Sequence, residues 1–203
     1  MQKIIALVIL SISLMCVPVQ TSASPATIGS LAPDFSLPNA SGKTIHLHDF
    51  KGKIVVLEWF NPRCPFVQKF YEPKMMQQYQ QELTSQGVVW LTISSSAEGK
   101  QGFISQESAS GVFADSDMHS SELLLDHKGL VGRAYGASTT PHMFVIDSQG
   151  NLAYAGAIDD TPSTRSRDIA TASNYVLQAV KELKSGKDVS EPYTSAYGCS
   201  VKY

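Results

Sequence analysis

Cys64 and Cys199 are the residues best suited to covalent chemistry in this chain. The reactive form of cysteine is the thiolate, and its formation follows local charge and exposure. Cys64 stands where an apolar run, Lys53 to Phe60, breaks at Asn61-Pro62-Arg63 and a helical pattern begins at Pro65. Free backbone N–H groups and the positive end of a helix favour a thiolate there. Arg63 adds a cation, and Pro65 fits a first helical turn, where its missing N–H is not needed. The competing role is that of an inert, buried cysteine. Glu58 lies mid-run among apolar residues, six positions before Cys64. A buried carboxylate has a raised pKa, which suits proton transfer, but it can equally be tied into a structural hydrogen-bond network. Cys199 sits in a small-residue segment, Tyr197-Gly198-Cys199-Ser200. Three roles are open to it: a resolving partner for Cys64, a permanent staple, or an unpaired thiol. A Cys64–Cys199 bond would close a long loop, worth ~4–5 kcal/mol on the chain-entropy model.

The histidines carry weaker signals. His46 and His48 share one face of a strand, but no third ligand stands at suitable spacing, so a solvated face is preferred and no metal is expected. His142 follows Pro141 and could approach Cys64. No phosphate-cradling glycine loop is present, so no organic cofactor is expected.

The elements that must hold these residues follow from periodicity. Phe35 and Leu37 alternate, Pro38 to Gly42 turn, and Ile45 and Leu47 alternate on the return, which predicts a hairpin. The β-branched run KIVVLEWF predicts a strand buried on both faces. A helix is predicted from Pro65 through Leu83, kinked at Pro73, followed by a buried strand over Val88 to Ile93. Residues 94–119 are small and polar and fit either a loop or a short helix. A short strand (Leu123 to Asp126), a helix (Lys128 to Tyr135) capped by Gly136, and a hairpin (Met143 to Ile158, turning at Ser148 to Asn151) come next. Ile169, Ala172, Val176, Val180 and Leu183 predict a last helix over 168–184. Trp59, Phe60 and Trp90 are expected in or beside the core.

Composition narrows the function. Sixteen basic and eighteen acidic residues give a net charge of −2 with no basic run, which speaks against nucleic acid. A basic start, an apolar stretch from Ile4 to Val19 and the small residues Thr21-Ser22-Ala23 predict a secretory leader over 1–23, cut after Ala23. The mature chain would be periplasmic or secreted, keep only Cys64 and Cys199, and hold no membrane span.

LEWFNPRCPFV resembles the active-site segment of the thioredoxin superfamily. Thr140-Pro141 resembles the cis-proline turn that faces the active-site cysteine in that fold. Ala32-Pro33-Asp34-Phe35 resembles the opening of redoxin and alkyl-hydroperoxide-reductase/thiol-specific-antioxidant (peroxiredoxin-like) domains. The resemblance covers residues 28–186, leaving 187–203 as a tail that carries Cys199. It implies a thioredoxin-like α/β fold with a central mixed sheet, helices on both faces and an N-terminal hairpin. Glu58 matches the buried acidic residue of thioredoxins. Thr140 and Pro141 would form a wall that positions substrate, with Asn61 and Arg63 beside it. Two departures matter. Val67 stands where thioredoxins have their second cysteine, so Cys64 has no neighbour to resolve it. Leu57, Asn61 and Pro141 stand where peroxiredoxins have their proline, threonine and arginine. The expected activity is therefore thiol–disulfide exchange on protein or small-molecule thiols and disulfides, reset by a thiol reductant. Thiol-dependent peroxide reduction and a non-catalytic binding role are the alternatives.

Overall fold

The computed structural model describes residues 26–203. The leader expected over 1–23 lies outside the described residues. Strands β1 (Ser36–Pro38) and β2 (Thr44–His46) form the expected antiparallel hairpin. The central sheet contains β3 (Val55–Trp59), β4 (Val89–Ser94), β5 (Glu122–Leu125), β7 (His142–Ile146) and β8 (Leu152–Gly156), in the order β5-β4-β3-β7-β8. β3, β4 and β5 run parallel, β7 runs antiparallel to β3, and β8 antiparallel to β7. β3 is central, so every one of its residues is buried, which is why its sequence is apolar without alternation. A further two-stranded pair joins β6 (Thr139–Thr140) to β9 (Cys199–Ser200).

Two apolar layers flank the sheet. On one face Val56 and Phe60 pack against helices α1 (Pro65–Tyr71), α2 (Met75–Ser85), α3 (Gln106–Asp115) and α5 (Tyr175–Lys184). On the other, Leu57 and Trp59 pack against the hairpin and α4 (Leu130–Tyr135). This is the mixed sheet with helices on both faces that the sequence predicts. Among the described residues, no helix is long and apolar enough to cross a membrane.

The structure corrects two boundaries and decides one open segment. The helix expected to kink at Pro73 is instead two helices, separated where Lys74 adopts a left-handed φ of 64°. The undecided segment 94–119 is a loop followed by α3, whose N-cap Ser105 accepts a hydrogen bond from Ser108 N–H. The last helix starts at Tyr175, not at residue 168. Residues Ser166–Thr171 form a 3₁₀ turn, and Asn174 caps α5 by accepting from Leu177 N–H. The break arises because Ser173 N–H donates to the Asp160 side chain, Asp160 N–H to the Ser173 carbonyl and Tyr175 N–H to the Ile158 carbonyl, which draws the chain into an extended conformation.

Candidate functional site

Cys64 is the N-cap of α1, with extended backbone angles, and Pro65 opens the helix. The end of β3 and the start of α1 thus meet at this sulfur. Burial pushes the Cys64 thiol up. Contacts with the Cys199 and Thr140 side chains and the backbone of Cys199 and Val67 outweigh that and leave it below the ordinary range. In its thiol form Cys64 donates to the Thr140 carbonyl at 3.0 Å. The Thr140–Pro141 peptide is cis, as the resemblance implies.

The tail brings Cys199 to the same place. Thr140 pairs with Cys199 and Thr139 with Ser200 across β6 and β9. The Cys64 and Cys199 sulfurs lie 2.6 Å apart, so the ~2.0 Å bond of a disulfide needs only a small shift. Burial and the neighbouring Cys64 sulfur push the Cys199 thiol up to about 11. The pair is asymmetric: one sulfur is disposed to carry negative charge and the other to keep its proton. Thiolate absorbance of the reduced protein should therefore rise in two steps, the first below the free-cysteine value and the second near 11. A single step at the ordinary value would remove the asymmetry.

Gly198 makes the close approach possible. It has φ +147°, and a Cβ there would lie 2.1 Å from the Thr140 carbonyl oxygen. Any other residue would push Cys199 off β6. Further along, Val201 N–H donates to the Ser138 carbonyl, and Ala97 N–H donates to the Lys202 carbonyl. Tyr203 donates to the Ala137 carbonyl and lies under Arg133, whose guanidinium carbon is 4.2 Å from the ring centre.

The other predicted residues fall into distinct positions. Asn61 is buried in the turn before Cys64. Its side-chain oxygen accepts from Arg63 N–H and its amide donates to the Gln101 carbonyl. It fills the space over Gly102, so it braces the 95–105 loop rather than facing the sulfur. Arg63 is exposed, and no charge contribution from it figures in the Cys64 shift. Glu58 is fully buried on the α1/α2 face. It accepts from Tyr71 (2.9 Å), Gln80 (3.1 Å), Trp90 (2.8 Å) and Thr92 (3.2 Å), and none of these bonds involves Cys64. Burial pushes its carboxyl up more than the four donors pull it down.

His142 lies away from Cys64, contrary to expectation. Strand alternation puts it on the opposite face, stacked 4.5 Å from Phe144, where burial lowers its pKa to about 4. His46 and His48 stack 5.0 Å apart and bond to Ser36 and Asp34. Among the described residues, no group of three or more His, Cys, Asp or Glu is placed to hold a metal ion.

Residues 28–155 match the AhpC/TSA family. The chain belongs to that family. The thioredoxin-like protein YneN of Bacillus subtilis is 30% identical over 122 residues, which span 60% of this chain and 66% of that protein, just under two thirds. Among solved structures, an uncharacterised conserved protein of Geobacillus kaustophilus superposes with a TM-score of 0.73 at 24% identity, covering 87% of this chain and 92% of that one. A hypothetical protein of Sinorhizobium meliloti gives 0.72 at 26%, covering 89% and 96%. A putative thiol:disulfide interchange protein DsbE of Chlorobium tepidum gives 0.52 at 27%, covering 64% and 84%. The AhpC/TSA match contains Cys64, Thr140 and Pro141 but ends before the tail. Cys199, Gly198 and Tyr197 therefore lie beyond the part of the chain that the family match describes.

Proposed function

We propose that this chain is an exported thiol–disulfide oxidoreductase in which Cys64 is the nucleophile and Cys199 the resolving thiol. The observation that carries this reading is the 2.6 Å approach of the two sulfurs at the head of α1. The Cys64 thiolate attacks one sulfur of a substrate disulfide, forming a mixed disulfide and releasing one substrate thiolate, which takes a proton from water. Cys199 loses its proton and attacks the Cys64 sulfur, forming Cys64–Cys199 and releasing the second substrate thiolate. The substrate is reduced by two electrons and the protein oxidised by two. A dithiol reductant of the same compartment returns the pair to its starting state, and the cycle can equally run the other way.

Thr140 and Pro141 form the wall against which the reacting sulfur is held. Cys64 is fully buried beneath the tail, so substrate reaches it when the two-residue β6–β9 ladder parts. Peroxide reduction would call for polar groups aimed at the sulfur. Asn61 is turned to Gln101 and Arg133 to Tyr203, which favours disulfide exchange. Export is supported by the leader pattern of residues 1–23 and suits a compartment where disulfides persist.

Reduced protein mixed with oxidised glutathione should consume it and yield a Cys64–Cys199 bond by peptide mass, reversed by dithiothreitol. Hydrogen peroxide should be consumed far more slowly. Rapid peroxide turnover with no exchange on glutathione would reverse the assignment.

A further inference from the structure

Lys69 is a buried lysine in α1, five residues after Cys64. Its ammonium group pairs with Asp159 at 3.0 Å, and both side chains are at most 2% exposed. It also donates to the Thr161 carbonyl at 2.7 Å. A third group completes the cluster. The Tyr197 hydroxyl donates to the other oxygen of Asp159 and accepts from Lys69 at 3.2 Å. The Tyr197 ring meets Phe66 edge-on, with centroids 5.8 Å apart. Phe66 itself lies in the first turn of α1, directly after Pro65.

A buried ion pair is a poor device for stability alone, because desolvation offsets most of the attraction. What this pair offers is a fixed polar socket inside an apolar layer. The tail packs only partly buried side chains, Val189, Tyr197, Cys199 and Val201, against the two layers, and the socket grips it two residues before Cys199. Asp159 is itself held: its backbone bridges to Asn174, and its side chain accepts from Thr161 N–H. One helix thus carries the nucleophile at its cap and the socket a little over one turn further on.

We propose that Lys69, Asp159 and Tyr197 are positioning residues that fix the tail so that Cys199 stands against Cys64. This rests on the resolving role assigned above to Cys199. Tyr197 is the pin, the Lys69–Asp159 pair is the socket, and Gly198 lets the chain pass from the pin over the Thr140 carbonyl to Cys199. Removing the Tyr197 hydroxyl leaves the ring on Phe66 and the ion pair intact, so the fold is kept while the pin is lost.

The test uses reduced full-length mature protein and 5,5′-dithiobis(2-nitrobenzoate) in a stopped-flow mixer. The first coloured thiolate is released when Cys64 attacks the reagent. The second is released when Cys199 closes on Cys64. In Tyr197→Phe the ratio of the second rate constant to the first should fall about tenfold or more, the factor expected when a hydroxyl bonded to charged groups is lost. A tail that is merely less stable would expose Cys64 and lower the ratio by speeding the first step, so the fall must come from the second rate constant itself; a ratio lowered only by a faster first step overturns the positioning role. The double variant Lys69→Met/Asp159→Leu, which removes both charges together and leaves no unpaired ion, should lower the ratio similarly. An unchanged ratio in both variants, with normal closure in the parent protein, overturns the positioning role alone. A parent protein that releases only one equivalent overturns the resolving role and the positioning role with it.

Discussion

Cys199→Ser should stop the catalytic cycle halfway. The variant attacks a disulfide normally and then accumulates the mixed disulfide on Cys64, visible as a stable mass adduct. With the leader cut as proposed, no third cysteine remains, so release depends on external thiol. Sulfurs held 2.6 Å apart have an effective concentration far above any millimolar reductant. Turnover at millimolar thiol should therefore fall by a factor on the order of 10² or more. Cys64→Ser should instead abolish the first step. Cys199 is a poor replacement, because its thiol is pushed up from the ordinary value. Loss of the Cys64 sulfur relieves part of that shift, but burial, its largest cause, remains. Intact-mass traces of the two variants against oxidised glutathione separate these outcomes. A Cys199→Ser protein that cycles at the parent rate would show that Cys199 is a staple and that some external thiol does the resolving.

The frame of this site was legible in the sequence because it is built from repeated patterns. β3 shows itself as an apolar run interrupted only by Glu58, and the hairpin as an alternation around Pro38 to Gly42. The handover to α1 is marked by Pro65 following Cys64. The tail was not legible, because its contacts are made by single residues in no period. Tyr197, Lys69 and Asp159 lie far apart in the sequence and share no period, and only the tertiary structure joins them. Gly198 carried a faint signal as a glycine beside a cysteine, and its reason lies in the Thr140 carbonyl of another element. The helical spacing of Ile169 and Ala172 misled for a physical reason. Ile169 is buried in the same layer as α5, but the chain between Ala172 and Asn174 is extended, held by the bonds of Ser173 to Asp160 and of Tyr175 to Ile158. Arg63 was placed at the sulfur by adjacency alone, and neighbouring residues at a turn can point apart.

Glu58 offers the second large effect, on stability. Glu58→Leu removes the acceptor for all four buried donors, Tyr71, Gln80, Trp90 and Thr92. Leaving such donors buried and unpaired should cost about 2–4 kcal/mol, read as a lower urea midpoint. Glu58→Gln behaves differently. Its carbonyl can take the position of the oxygen that accepts from Trp90, Gln80 and Thr92, and its amide can donate to the Tyr71 hydroxyl. It mimics the protonated acid. The folded carboxyl is raised above its ordinary value of 4.5, so the folded state binds the proton more tightly than the unfolded state. That stabilisation is fully present below 4.5 and is lost as pH rises through the folded pKa. The glutamine variant does not titrate. It should gain on the parent protein by about 1.4 kcal/mol per pH unit between the two pKa values, then hold a constant lead. Urea unfolding of both reduced proteins from pH 4 to pH 8 measures that lead directly. A difference that stays flat with pH would mean that Glu58 is ionised throughout, with its four donors outweighing burial. A lead that grows with pH, together with unaltered disulfide exchange, would make Glu58 a structural acid of the core. A loss of exchange in a well-folded Glu58→Gln protein would instead tie this carboxyl to proton transfer at Cys64.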